Sequence, residues 1–171
     1  DPTPGLAGAD ICMHASLGPI RGSQTTGSMI ASLKAGNPLV FTTGTAAPCT
    51  GIFKPVWVDA PPEIGQEPTS VFDPETLFWS HERLHREVIL NFADRAEVFI
   101  KDRDLLEGEF INGALALKDS SPEERKVFSE ACFKKAAAAQ GEWLDKVRQV
   151  PAKKVFFHGI AWRGFNKAAK F

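Results

Sequence analysis

ICMHASLGPIRGSQTTGSMIASLKAGNPLVFTTGTAAPCTGIFKPVWV, residues 11–58, is the stretch whose reading decides the fold. Short apolar runs at 11–15, 27–33, 39–43 and 52–58 alternate with clusters of Gly, Pro, Ser and Asn, the pattern of strands punctuated by turns. Between the second and third runs, Lys34-Ala35-Gly36-Asn37-Pro38 suits a hairpin loop, because Gly and Asn tolerate positive φ. Met29, Ala31 and Leu33 fall on one face of the second run, and Ser28, Ile30 and Ser32 on the other. Apolar residues on both faces predict a sheet covered on both sides.

Downstream of the sheet the periodicity changes. Residues 59–72, with three prolines at 61, 62 and 68 and the neighbouring acids, read as an exposed connection. Asp73-Pro74-Glu75 predicts a helix start, with Asp as cap, Pro in the first turn and Glu against the helix dipole. From Leu77 through Leu84, Val88, Phe92, Phe99, Leu106 and Phe110 to Leu117, apolar residues recur at helical spacing. Glu82, Arg86, Arg95, Lys101 and Glu109 occupy the other face. This helix runs unbroken to Leu117 or breaks once near 102–108. Ser121-Pro122-Glu123-Glu124 is a capping box that opens a second helix, and Pro151 ends it. The turn at 118–120 is short, so residues 73–150 form an antiparallel helical hairpin. The tail, 151–171, reads as a short strand followed by a helical turn, with its Phe and Trp side chains buried.

The chain is therefore expected to be α+β, mainly antiparallel strands followed by a long helical hairpin. Its 171 residues with 43% hydrophobic content suffice for one core, so a single domain is expected. A net charge of −1 gives no footprint for nucleic acid or an anionic membrane surface. No apolar run approaches the ~20 residues of a bilayer span. The opening DPTPGLAGAD lacks the basic and apolar regions of a signal peptide and starts without Met, so a chain cut from something longer is expected, located in the cytoplasm. Cys12, Cys49 and Cys132 are far apart and odd in number, which argues against a disulfide framework and against a structural zinc site.

Several residues are candidates for chemistry. His81-Glu82-Arg83-Leu84-His85 is a literal H-E-x-x-H, which on a helix sets two imidazoles on one face with Glu82 as a base. Its charged neighbours Arg83 and Arg86 and the lack of a third ligand disfavour zinc; Glu82 can instead pair with Arg86 at i,i+4, with the histidines half-buried. The hydroxyl-rich tract 23–28 is either a strand entry or a set of donors, and Arg21 beside it can grip a carboxylate. On a short strand, Cys12 and His14 would share a face, which allows a Cys/His nucleophilic pair or two ordinary core residues. Cys49 sits in a loop with no obvious base, and Lys54 interrupts an apolar run, pointing into a site or snorkelling to the sheet edge. No phosphate loop, dinucleotide fingerprint or Gly-x-Ser-x-Gly elbow is present.

Taken as an ordered series, Ile11-Cys12-Met13-His14, Thr25-Thr26-Gly27-Ser28-Met29-Ile30, Phe41-Thr42-Thr43-Gly44-Thr45, Pro48-Cys49 and Phe53-Lys54-Pro55 resemble the later half of secernin-like proteins. These are relatives of bacterial dipeptidases among the N-terminal-nucleophile hydrolases. The segment from Phe78-Trp79 through Arg86 is similar to the helix that follows in that family, and the resemblance spans residues 11–86. It implies a four-layer αββα sandwich and hydrolysis of amide bonds by a chain-initial Cys whose α-amine is the base. None of the three cysteines here can present a free α-amine, so no catalytic residue is expected in this chain. The expectation is a partial domain or downstream subunit that meets its missing half, or a homo- or hetero-oligomer. A small peptide or acyl amide would be bound near His14, Arg21 and Thr25, without cofactor or metal. The rival expectations are a non-catalytic αβ binding module and a zinc hydrolase using His81, Glu82 and His85.

Overall fold

The structure, a computed structural model, describes residues 12–15, 22–35, 38–153 and 156–171, with side chains of the last segment from 159 onward. It is α+β. Three antiparallel strands, β1 (Met29–Ser32), β2 (Leu39–Thr42) and β3 (Lys54–Val56), pair in the order β1-β2-β3. The register Met29↔Thr42 and Ser32↔Leu39 makes β1 and β2 a hairpin, as the sequence predicts; Gly36 and Asn37 of its loop lie outside the described residues. Val40↔Val56 and Thr42↔Lys54 join β3 to the other side of β2. Residues 12–15 carry no strand, contrary to expectation. Met13 is tied to Thr25 through both its N–H and its carbonyl at 2.9 Å, so local polar pairing replaces a ladder.

The helices are α1 (Leu77–Val88), α2 (Phe92–Ala116), α3 (Pro122–Arg148) and α4 (Phe156–Ala169), with a 3₁₀ turn at Ile89–Asn91 joining the first two. The first helix starts one turn later than the Asp73 signal. Asp73 instead closes a turn, its Oδ1 accepting from Glu75 N–H at 3.0 Å, and Thr76 becomes the cap. The break between α1 and α2 also falls earlier than 102–108. Asn91 leaves helical geometry at φ −164°. Its side chain donates to Asp94 and to the Pro151 carbonyl, while Arg95 donates to the carbonyls of Glu87 and Val150. Those side chains satisfy the backbone that a kink releases. α3 keeps the expected capping box, with Ser121 and Glu124 bonded reciprocally.

Ion pairs Lys146–Asp102 and Lys135–Glu109 run in opposite chain directions, which makes α2 and α3 antiparallel. They pack closely because Gly113 faces the Phe128 ring, where a Cβ would overlap it. Their seam is the main core, built on Phe99, Leu106, Phe110, Ala136, Trp143 and Val147, with α1 adding Leu84 and Val88. Phe99 and Trp143 stack with centroids 5.4 Å apart. A second cluster of Leu39, Trp57, Ala60 and Ala114 fastens the sheet to the hairpin, helped by Ser129 Oγ donating to the Pro55 carbonyl.

Two expectations about faces are corrected. Glu82 and Arg95 are buried rather than on a solvated face, because each lies where helix meets loop and finds partners there. β1 is exposed along its whole length, with Met29 at 69% and Ile30 at 57%, so the sheet is not covered on both sides by the described residues. The tail is also helical throughout 156–169 rather than strand and turn. Its Trp162 is buried and its indole N–H donates to the Ala15 carbonyl at 3.1 Å. Among the described residues no helix is long and apolar enough to cross a membrane.

Candidate functional site

The site forms where the loop after β2 meets α1. At the end of β2, Gly44 turns the chain with φ +59°, a region that glycine enters without strain. The loop then folds on itself: Ala47, at φ 48°, accepts from the N–H groups of Thr50 and Gly51 and donates to the Thr25 carbonyl. A non-glycine residue held there costs about 1 kcal/mol, and in return Cys49 has a fixed position. Arg103 of α2 reinforces it, donating to the Cys49 carbonyl at 2.6 Å.

Cys49 Sγ lies 3.2 Å from His14 Nε2, and Cys12 Sγ lies 3.5 Å from the same nitrogen. Cys12 and His14 thus do meet, without a strand to align them. Cys49 has a base beside it after all, contributed from 35 residues away. The Cys49 thiol donates to the Cys12 sulfur, which with His14 holds Cys12 well below the usual thiol range. The same hydrogen bond pushes Cys49 upward, and burial adds to it. The two thiols are coupled through that hydrogen bond and titrate as a pair. Cys132 is remote, inside the helical core, where burial raises its thiol to about 12.

Next to this cluster lies the H-E-x-x-H segment. His81, Glu82 and His85 are all fully buried, not half-exposed as expected, because α1 is covered on that face by the loop and by α3. His85 Nδ1 is 3.1 Å from Glu82 Oε1, and since a carboxylate only accepts, Nδ1 carries the proton. Arg86 Nε donates to Glu82 Oε2 at 2.9 Å, the i,i+4 pair that the spacing suggests. Gln24 Nε2 donates to Oε1 at 3.2 Å. Burial works against the Glu82 charge, but the bonds from His85 and Arg86 outweigh it and hold the carboxyl at about 2. His81 is engaged differently: its Nε2 meets Thr50 Oγ1 at 3.3 Å, and burial with the nearby His85 lowers it to about 3. The two imidazoles therefore turn to different partners, Glu82 and Thr50, and Glu82 is occupied as an ion-pair acceptor.

The clusters are continuous, since the His14 and His85 rings are 5.8 Å apart and His85 packs on Trp162. His14 Nδ1, Gln24 Oε1 and His85 Nε2 are buried with no hydrogen-bond partner among the described residues. Such orphaned atoms are uncommon in native interiors, where a water, an ion or a ligand ordinarily satisfies them. Beside them opens a cavity of about 300 Å³ lined by Gln24, Trp79, Arg86, Trp162 and Phe165, with Ala15 at its edge. Arg86 lies against the faces of Trp79, Trp162 and Phe171 and also donates to Asn166.

Of the expected binding residues, His14 is central and Thr25 braces Met13 and Ala47, whereas Arg21 lies outside the described residues. Lys54 neither enters the cavity nor reaches the sheet edge. It is buried, with Nζ donating to the carbonyls of Thr43 and Ile52 at 2.7 Å each. Sequence reasoning singled out neither Gln24 nor Trp162 as a site residue. Gln24 lies in the hydroxyl-rich tract and was signalled by it; Trp162 comes from a tail whose helix the sequence did not reveal.

Fold and site together define an α+β chain with a Cys/His/Glu cluster, its imidazoles and carboxylate buried and its two thiols partly exposed, beside a small aromatic cavity. Comparison with protein-family models, curated proteins and solved structures gives no match for this chain.

Proposed function

We propose that this chain is the C-terminal portion or downstream subunit of a secernin-like amide-bond hydrolase, and that it supplies the substrate-binding wall. The observation that carries this reading is convergence. Within the ordered series that motivates the resemblance, segments 12–14, 48–49 and 78–86 come together, His14 lying against Cys49 and His85, and Trp79 and Arg86 of the same series line a cavity with Gln24. Residues kept only for core packing would not bring unpartnered imidazole and amide atoms together in this way. The cavity fits a small peptide or acyl amide: aromatic walls for a side chain, Gln24 for the amide and Arg86 for a carboxylate. The sheet would belong to a four-layer αββα sandwich, and the free cysteines fit a reducing compartment such as the cytoplasm.

The nucleophile in this reading is a chain-initial Cys outside these residues. The isolated chain is expected to leave dipeptides and acyl amides intact, because Cys12, Cys49 and Cys132 all lack a free α-amine. Expressed together with its encoded upstream segment, the protein should hydrolyse them, and Gln24→Ala should lower kcat/KM by about tenfold or more. Turnover by this chain alone, abolished in Cys12→Ala, would replace this reading with a Cys12/His14 nucleophilic pair, which the 3.5 Å approach favours as the second reading. Absence of activity in both forms would leave the binding-module alternative.

The same reading accounts for β1. Its edge, unpaired among the described residues, and its exposed Met29, Ile30 and neighbouring Leu33 offer a strand template and an apolar face to the missing half or to a second copy. Light scattering across a dilution series should therefore find the isolated chain self-associated, with a hydrophobic dye bound. A monomer at all concentrations that binds no dye would overturn the half-domain picture.

A further inference from the structure

The arrangement of Cys12, His14 and Cys49 carries a consequence independent of amide hydrolysis. Three donor atoms, two sulfurs and one imidazole nitrogen, all lie within 4.8 Å of one another. From metal–ligand lengths of about 2.3 Å for Zn–S and about 2.0 Å for Zn–N, two donors on a tetrahedral zinc sit about 3.5 Å apart for N and S and about 3.8 Å for S and S. The measured Nε2–Sγ separations are 3.5 Å to Cys12 and 3.2 Å to Cys49. Both match the N–S edges of that tetrahedron to within a few tenths of an ångström, and the two sulfurs lie within 4.8 Å of each other.

A single ring nitrogen makes one hydrogen bond, yet two sulfurs converge on His14 Nε2. A metal ion at the centre of the triangle would satisfy all three atoms at once. The donors are also held in advance. His14 is 4% exposed and fixed between His85 and Phe92. Cys49 sits on the loop pinned by Ala47, Thr25 and Arg103, and Met13, between the other two donors, is bonded twice to Thr25. Cys12 and Cys49 are half-exposed, which leaves an ion a route in. Arg103 is a cation beside Cys49, and Asp104 pairs with it at 2.6 Å, so it does not oppose a dication unscreened.

We propose that Cys12, His14 and Cys49 form a binding site for a thiophilic divalent cation, zinc by ligand chemistry, with the fourth position taken by water or a substrate atom. Soft sulfur with imidazole selects zinc over magnesium or calcium. The ligands bind as two thiolates and a neutral imidazole, so thiol protons leave to solvent as the ion enters. This departs from the expectation of no metal, and it assigns the ion to ligands other than the adjoining H-E-x-x-H imidazoles.

Cobalt(II) titration of the reduced, tag-free chain tests it. One equivalent should bind with a thiolate-to-cobalt charge-transfer band and intense tetrahedral visible bands, and zinc should displace it stoichiometrically. Cys12→Ser and Cys49→Ser should each weaken binding by more than the ~10–100-fold that loss of a mere supporting contact costs. Cys132→Ser should leave the spectrum unchanged, and circular dichroism of each variant separates loss of binding from loss of fold. Absence of a stoichiometric tight site in the folded wild-type chain would overturn the proposal. So would a tight site without the thiolate band that disappears in His85→Ala, which would install the H-E-x-x-H segment instead. A Cys12–Cys49 disulfide that persists under reductant and excludes cobalt would overturn it as well.

Discussion

Glu82→Gln should lower the unfolding free energy by about 3–5 kcal/mol, the range seen when one partner of a buried ion pair is removed. Glu82 is fully buried and accepts from His85, Arg86 and Gln24. The neutral amide cannot balance the Arg86 guanidinium, whose side chain is only 10% exposed. The acid limb gives an independent reading. Glu82 is held at about 2 when folded, against about 4.3 in the unfolded chain. Its depressed value means that its contribution is complete above the unfolded value and is lost as pH falls from about 5 towards 2. That loss is on the order of 3 kcal/mol. Urea unfolding of wild type and Glu82→Gln at several pH values tests both parts. An unchanged midpoint at pH 7, with an unchanged acid limb, would mean that solvent already compensates Arg86.

Lys54 predicts a slope on the alkaline side. Burial drives its ammonium from 10.5 to about 7, only partly opposed by Glu107 of α2. Between those values the unfolded chain holds a proton that the native chain does not, so stability rises with pH from about 7 to about 10. Below 7 both states are protonated, and the contribution is flat. The rise is on the order of 5 kcal/mol at most. Cys132 and His81 also sense this charge, and the thiols titrate in the same window, so the useful quantity is the difference between wild type and Lys54→Met. Lys54→Met leaves the Thr43 and Ile52 carbonyls without their donor, a penalty that does not vary with pH. The stability difference should therefore change across pH 7–10 in favour of wild type as the buried ammonium loses its proton. A constant difference would show that Lys54 stays charged in its carbonyl nest.

Much of the architecture was legible in local chemistry. The hairpin of β1 and β2, the capping box at Ser121, the short turn before α3 and the stop before Pro151 depend on residues adjacent in sequence. So does the Glu82–Arg86 pair, one helical turn apart. These features follow from propensity and periodicity, which a chain carries before it folds. Element ends were less legible. Asp73 and Thr76 both suit a cap, and the kink at Asn91 depends on Arg95 reaching the carbonyl of Val150, far along the chain.

The candidate site was legible as ingredients only. Cys12, His14, Cys49, His81, Glu82 and His85 all stand out in the sequence, but spacing argued against a metal because no C-x-x-C pair exists. Spacing rules detect ligands carried on one turn or loop. Here two loops supply them, brought together when Ala47 bonds to Thr25 and the loop closes over α1. The burial of Lys54 and Glu82 likewise depends on what covers them, since a charged side chain enters a core only where tertiary partners satisfy it. The sequence by itself therefore determined the β1–β2 hairpin, the long helices, their order and the list of reactive groups, but neither the strand-free segment 12–15 nor the tail helix. Which of those groups meet, and which titrate abnormally, was decided by long-range packing alone, because contacts between distant segments leave no local periodicity to read.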